Sequence, residues 1–242
     1  YGTKEYEKEL KLNIKSAKEM GADVVKAFGP KDIDRQYYEK NIRFFSQKRG
    51  GGYWLWKPYI IDKMLSEIAY NDWLIYVDAG LFYINSIKNY IKTLEQREVS
   101  FAIVPTVYKE YQYTKRDIFV YTNTDTEEIR NTLQRQSGVI IIKKIEKNIE
   151  LIREWLKYIQ EGTMVNDEPN TCGKPNYEGF IENRHDQSII SVLTKKYGIG
   201  VEEDLYVPAK QMWMSNKLLC YHHSMSGNKY WIWLKSIIRT FI

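Results

Sequence analysis

Short apolar runs alternate along this chain with segments whose apolar residues recur at helical spacing, and that alternation limits the fold more than any other feature. Residues 22–28, 73–77, 100–106 and 138–143 have the length and composition of buried strands. Residues 4–20, 58–69, 86–97, 146–159 and 186–196 read as helices; Tyr6, Leu10, Ile14 and Ala17 share one face of the first, and Pro58 opens the second in its first turn. Strands alternating with helices predict an α/β fold with a mainly parallel central sheet flanked by helices. No repeat, low-complexity tract or linker interrupts the pattern, so residues 1–242 read as a single domain. Ligands of such sheets bind beyond the carboxyl ends of the strands, which makes polar residues there the candidates for function. The polar stretch 162–179, rich in Asn, Pro and Gly, reads as a surface loop over a site.

Four polar constellations occupy positions of this kind. Tyr76-Val77-Asp78-Ala79-Gly80 ends an apolar run on a carboxylate. An oxygen ligand there suits a hard divalent cation bridging a diphosphate, and Gly80 lets a ligand approach the backbone. An Asp that merely caps the following turn accounts for the same residues. In His222-His223-Ser224-Met225-Ser226-Gly227-Asn228-Lys229, an imidazole can complete a metal site, and Gly227 with Lys229 suits a phosphate. A surface turn is the plain alternative.

Asn183-Arg184-His185-Asp186-Gln187-Ser188 precedes the apolar face of Ile189, Ile190, Val192 and Leu193. Asp186 either caps that helix or acts on an acceptor hydroxyl or an oxocarbenium-like charge, with His185 and Gln187 beside it. In the block Gly50-Gly51-Gly52-Tyr53-Trp54-Leu55-Trp56-Lys57-Pro58-Tyr59, the glycines permit a tight bend. Trp54 and Trp56 face opposite ways if that stretch is extended, and Lys57 at a helix entrance suits a phosphate. A hinge followed by core tryptophans is the competing account. Arg116 and the strand entrance Gln136-Ser137 are further candidates for donor and acceptor contacts.

The Tyr-x-Asp-Ala-Gly segment resembles the Tyr-x-Asp-Ala-Asp segment of glycogenin-like glycosyltransferases with the GT-A fold. The His223-to-Lys229 stretch is similar to the His-x-x-Gly-x-x-Lys-Pro-Trp element near the end of those enzymes. The glycine-tryptophan block resembles the Gly-x-Gly-Tyr-Trp-x-Trp-Lys-Pro segment of a group of bacterial capsule and O-antigen glycosyltransferases, and His-Asp-Gln-Ser recurs in polysaccharide-forming members. Together the motifs span most of the chain. The resemblance implies a GT-A-like, Rossmann-type domain that moves a hexose from a nucleotide diphosphate sugar, such as a UDP-sugar, to a saccharide or lipid-linked saccharide acceptor in surface polysaccharide biosynthesis, with retention favoured. It implies catalytic roles for Asp186 and Gln187. It places Tyr1, Gly2 and Thr3 at the base and ribose, and Trp54, Lys57, Asp78, Ala79, Gly80, Arg116, Gln136, Ser137, His185, His223, Gly227 and Lys229 around donor and acceptor. Asp78 and His223 become ligands of Mn²⁺ or Mg²⁺, although Gly80 stands where the family has its second carboxylate.

Composition narrows the partners. A net charge of +5 favours anions such as nucleotide diphosphates, and no dense basic run points to nucleic acid. Aromatic residues reach 14%, including 20 Tyr and 7 Trp, enough to stack on sugars as well as to fill a core. Two cysteines and no membrane-length apolar run suit a cytoplasmic protein. The basic, amphipathic segment 230–242 suits either packing or contact with the inner face of an anionic membrane. Two other classes stay open: a nucleotidyltransferase of similar architecture, for which Tyr1-Gly2-Thr3-Lys4 lacks the Gly-rich basic loop, and a non-catalytic carbohydrate-binding module.

Overall fold

The computed structural model describes residues 2, 4–202, 205–208 and 217–221; the segment 230–242 lies outside them. In chain order the first elements are α1 (Glu7–Glu19), α2 (Arg35–Lys40), α3 (Ile42–Phe45), α4 (Gly50–Tyr53), α5 (Trp56–Glu67), β1 (Trp73–Val77), β2 (Leu81–Tyr83), α6 (Ile87–Gln96) and β3 (Phe101–Lys109). There follow α7 (Glu110–Tyr113), α8 (Arg116–Tyr121), α9 (Glu127–Arg130), β4 (Leu133–Lys143), α10 (Glu146–Glu161), α11 (Asp186–Lys196), β5 (Tyr206–Pro208) and β6 (Leu219–Tyr221). The fold is α/β. The chain divides into two compact units, one of Tyr1–Asp32, Val77–Val99 and Asp204–Ile242, the other of Ile33–Tyr76 and Ser100–Glu203.

In the first unit, β2 pairs antiparallel with β6, which pairs parallel with β5. The inner face of α1 is more polar than its apolar spacing suggests: Asn13, Ser16 and Ala17 are buried, whereas Tyr6 is exposed. Asn13 donates to the carbonyl of Leu81 at 2.8 Å, and the Ser16 hydroxyl accepts the N–H of Tyr83 at 3.0 Å. These two side chains, three residues apart and so on one helix face, hold the chain that leaves β1. The strand expected at 22–28 does not form. Val24 is 74% exposed there, so the run buries no face that a strand would need.

The second unit carries a sheet ordered β1-β4-β3. The run Ile140-Ile141-Ile142 is fully buried, as expected for a central strand covered on both faces. α11 packs on β4, and α10 packs on α5 and α11. The expectation of a mainly parallel sheet is corrected here: β3 and β4 are antiparallel, with Phe101 opposite Ile142 and Ile103 opposite Ile140. A parallel neighbour needs a crossover that returns the chain to the same end of the sheet. The intervening α7, α8 and α9 are short helices of four to six residues, and no long crossover helix forms.

Two register shifts interrupt the pair. Ile103 faces Ile140, yet the next residue, Val104, faces Gln136, so residues 137–139 of β4 bulge from the ladder. The second shift lies between Pro105, which has no N–H to give, and Lys109. No helix among the described residues is long and apolar enough to cross a membrane.

Candidate active site

The bulge in β4 frees Ser137 from strand pairing and aims it at the start of α11. Its hydroxyl donates to Asp186 Oδ2 at 2.7 Å, and its N–H lies 3.4 Å from Gln187 Oε1. From the first turn of α5, Lys57 brings its ammonium to 3.1 Å from the same Asp186 oxygen, 3.0 Å from Ser137 Oγ and 3.3 Å from the Ser137 carbonyl. Pro58 is tolerated beside it because the opening residues of a helix need no N–H. Lys57 is 2% exposed and Asp186 3%. Charges so deeply buried persist when paired, since an isolated one loses its hydration without compensation.

His185 joins this group through stacking. Its ring lies 5.0 Å from that of Tyr53 and 5.3 Å from that of Trp54. Nδ1 is 2.6 Å from the Val165 carbonyl, so it carries the proton and Nε2 presents a lone pair. That Nε2 has no hydrogen-bond partner among the described residues and sits 3.7 Å from Asp167 Oδ1. Burial, the largest influence, pushes the imidazole below its ordinary value; Arg49 acts in the same sense, and Val165, Asp167 and Asp186 oppose it. His185 also has φ +51°, an uncommon region for a side chain of this size.

The block that covers His185 is equally unusual. Residues 50 to 54 all have positive φ, from +53° to +98°, so Gly50–Trp54 forms a left-handed turn, not an extended stretch. Tyr53 and Trp54 each bear a cost of about 1–2 kcal/mol for that conformation. The expected alternation of Trp54 and Trp56 is therefore replaced: Trp54 lies on His185, while the indole of Trp56 donates to the Gly50 carbonyl at 2.9 Å. A Cβ on Gly50 would come within 2.3 Å of the Trp54 ring, which is why the turn begins with glycine.

A polar chain continues from this cluster along α11. Gln187 donates to Gln134 Oε1 at 2.8 Å, Gln134 donates to Thr114 Oγ1 at 3.1 Å, and Thr114 donates to Glu110 Oε1 at 2.5 Å. Fully buried Glu110 also accepts from Ser191 at 2.5 Å and pairs with Lys195. A second network pins the loop that follows α10. Asp117, with no exposed surface, accepts the N–H groups of Thr171 and Cys172 at 2.8 Å and pairs with Lys115 at 3.2 Å.

The sequence candidates thus divide. Trp54, Lys57, Ser137, His185, Asp186 and Gln187, drawn from three distant motifs, meet in the second unit, and Gln136 flanks them with its amide 3.3 Å from the Pro105 carbonyl. Arg116 belongs to the loop network, paired with Asp125 at 3.0 Å and lying over the Tyr177 ring at 3.8 Å. Asp78, Ala79 and Gly80 form a turn in the first unit, closed by the Leu81 N–H on the Asp78 carbonyl at 3.1 Å. Gly2, in the same unit, gives its N–H to Phe28. Tyr1, Thr3, His222, His223, Gly227 and Lys229 lie outside the described residues. No group of three or more His, Cys, Asp or Glu among the described residues could hold a metal ion.

Trp155, Gln134, Arg49 and Asp167 belong to these surroundings without a sequence signal. Trp155 falls in the apolar stripe of α10 with Ile152 and Ile159, a pattern that marks core and nothing more. Arg49 reaches Asp167 at 3.3 Å and Glu182 at 2.9 Å, contacts between residues far apart in the chain.

No family model and no curated protein matches the chain. Among solved structures it is similar to mouse xyloside xylosyltransferase 1 in its apo form, at 10% identity over 76% of this chain and 72% of that one, with a TM-score of 0.39. It is also similar to a glycosyltransferase involved in the glycosylation of the major capsid of PBCV-1, at 9% identity over 98% and 96% of the two chains, with a TM-score of 0.44. Both neighbours are glycosyltransferases.

Proposed function

We propose that this protein is a GT-A-like glycosyltransferase, one domain in function, that moves a hexose from a nucleotide diphosphate sugar to a saccharide hydroxyl in surface polysaccharide assembly. The observation that carries the reading is the meeting of three sequence-distant motifs on one buried carboxylate, Asp186. Strained residues gather there too, at Tyr53, Trp54 and His185, and strain of this kind concentrates at functional sites.

In the transfer, the bond from the anomeric carbon to the diphosphate breaks and a bond to the acceptor oxygen forms, while the acceptor proton leaves. Asp186 takes up that proton or faces the positive charge on the sugar, and Gln187 orients a hydroxyl. Because Asp186 is nearly inaccessible, substrate must displace its cover. Asp78 meets the diphosphate, and with His223 would hold Mn²⁺ or Mg²⁺; a bound cation would offset the leaving group's charge. The acceptor, saccharide or lipid-linked, would be met at the cytoplasmic face of a membrane.

The test is release of nucleoside diphosphate from a panel of UDP- and GDP-sugars, with and without saccharide acceptors and with each metal. Transfer by the wild type, lost in a folded Asp186→Asn variant, supports the reading. Pyrophosphate release from a nucleoside triphosphate would instead make it a nucleotidyltransferase. Glycan binding that needs no nucleotide and survives Asp78→Ala would make it a binding module.

A further inference from the structure

The entrance of α5 presents a cation where a phosphate ligand would be expected, yet that cation points inward. An ammonium has three N–H donors, and among the described residues Asp186 Oδ2, Ser137 Oγ and the Ser137 carbonyl lie within reach of the one on Lys57. It also lies 5.3 Å from the centre of the Tyr76 ring and 5.8 Å from that of Trp56, so aromatic faces add to its surroundings. A phosphate on Lys57 would have to draw the ammonium away from Asp186 and Ser137, and so release the carboxylate they hold.

The Asp186 side is just as constrained. Lys57 and Ser137 converge on the same oxygen, Oδ2, and so fix the rotation of the carboxylate. Trp155 holds the main-chain carbonyl of the same residue at 3.0 Å. We propose that Lys57 is a positioning residue: with Ser137 it clamps one carboxylate oxygen of Asp186, fixing the direction of the other, and takes no part in binding the diphosphate. This inference rests on the glycosyl-transfer reading and deepens it by separating the group that orients the acting carboxylate from those that hold the donor.

Lys57→Met and Ser137→Ala, each checked for native circular dichroism, are compared with wild type for UDP dissociation constant, KM and kcat. A misdirected catalytic group costs on the order of a hundredfold in rate. Lys57→Met is accordingly expected to lower kcat by about that factor while the UDP dissociation constant and the donor KM stay within about threefold. Ser137→Ala keeps the ion pair and removes one tether, so kcat should fall roughly tenfold with UDP binding unchanged. Should Lys57→Met fail to fold, the Ser137→Ala result decides. UDP affinity falling tenfold or more in either variant, or kcat left unchanged, overturns the proposal. A wild type that binds UDP and transfers no sugar from any donor overturns the underlying reading instead, a result that does not depend on either variant.

Discussion

Trp155 donates its indole N–H to the main-chain carbonyl of Asp186, 3.0 Å away, from a position with no exposed surface. That carbonyl belongs to the first residue of α11, so a side chain of α10 fixes where the helix bearing the candidate carboxylate begins. Trp155→Phe removes the bond and leaves space where the larger ring stood. Unfolding free energy is expected to fall by about 1–3 kcal/mol. Urea denaturation should show a lower midpoint with an unchanged slope, and a wild-type midpoint would mean the bond contributes nothing.

The buried Lys57–Asp186 pair should be strongly coupled in stability. Removing either partner strands the other charge, at a cost of about 3–5 kcal/mol. The double variant Lys57→Met/Asp186→Asn should be more stable than the sum of the single losses allows, by at least about 1 kcal/mol. A double-mutant cycle in denaturant reads this directly, and simple additivity would mean the two groups do not sense one another.

His185 links stability to mild acid. Burial, opposed by Val165, Asp167 and Asp186 and aided by Arg49, leaves the folded imidazole below its ordinary value of 6.5. The unfolded chain therefore takes up a proton before the folded one does. The contribution is complete above the unfolded value and is lost as pH falls from there through the folded value. His185→Gln should flatten the stability profile as pH falls below the ordinary imidazole value of 6.5, followed by thermal melts through that range. A profile as steep as that of the wild type would show that another group is responsible.

Asp117 should govern the loop after α10. Burial acts to raise its carboxyl, but the bonds from Cys172, Thr171 and Lys115 outweigh it and hold the group below its ordinary 3.8. Its stabilisation is therefore present above that value and disappears as pH falls through the folded one. Bonds to a charged acceptor contribute about 1.5–3 kcal/mol each. Asp117→Ala is expected to speed chymotrypsin cleavage after Tyr177, in the same loop, at least about tenfold at neutral pH, which needs about 1.4 kcal/mol of easier opening. Unaltered cleavage would show that the loop is held by other means.

Gly162 ends α10 at φ +82°, and a Cβ there would lie 1.9 Å from Phe44 Cζ. Gly162→Ala should cost about 2 kcal/mol or more, combining backbone strain with overpacking. The companion Phe44→Leu should recover part of that loss in a thermal melt. Failure to recover would assign the cost to the backbone alone.

Much of the secondary structure was legible locally. Trp73–Val77 and Asp186–Lys196 form the strand and helix that their patterns predict, because the apolar period follows from which face a segment must bury. The 22–28 run was misleading, since its composition resembles that of a strand but its side chains meet solvent. Short α2, α3, α7, α8 and α9 left no periodic trace, being one or two turns long. The polar motifs at 50–59 and 183–188 stood out by residue type, yet Lys57 reads from its helix entrance as a phosphate ligand, whereas its partners lie 80 and 129 positions further along the chain.

The amino-acid sequence determined, then, which stretches become helix or strand and which polar residues are worth examining, because both depend on neighbours within a few positions. Tertiary structure alone decided that β3 and β4 run antiparallel, that β4 bulges at Ser137 and that Lys57 turns inward to Asp186. These outcomes rest on how the 110–132 connection returns and on which buried charge finds which partner. Such interactions between distant residues are weighed by desolvation and packing, neither of which exists until the chain has closed around them.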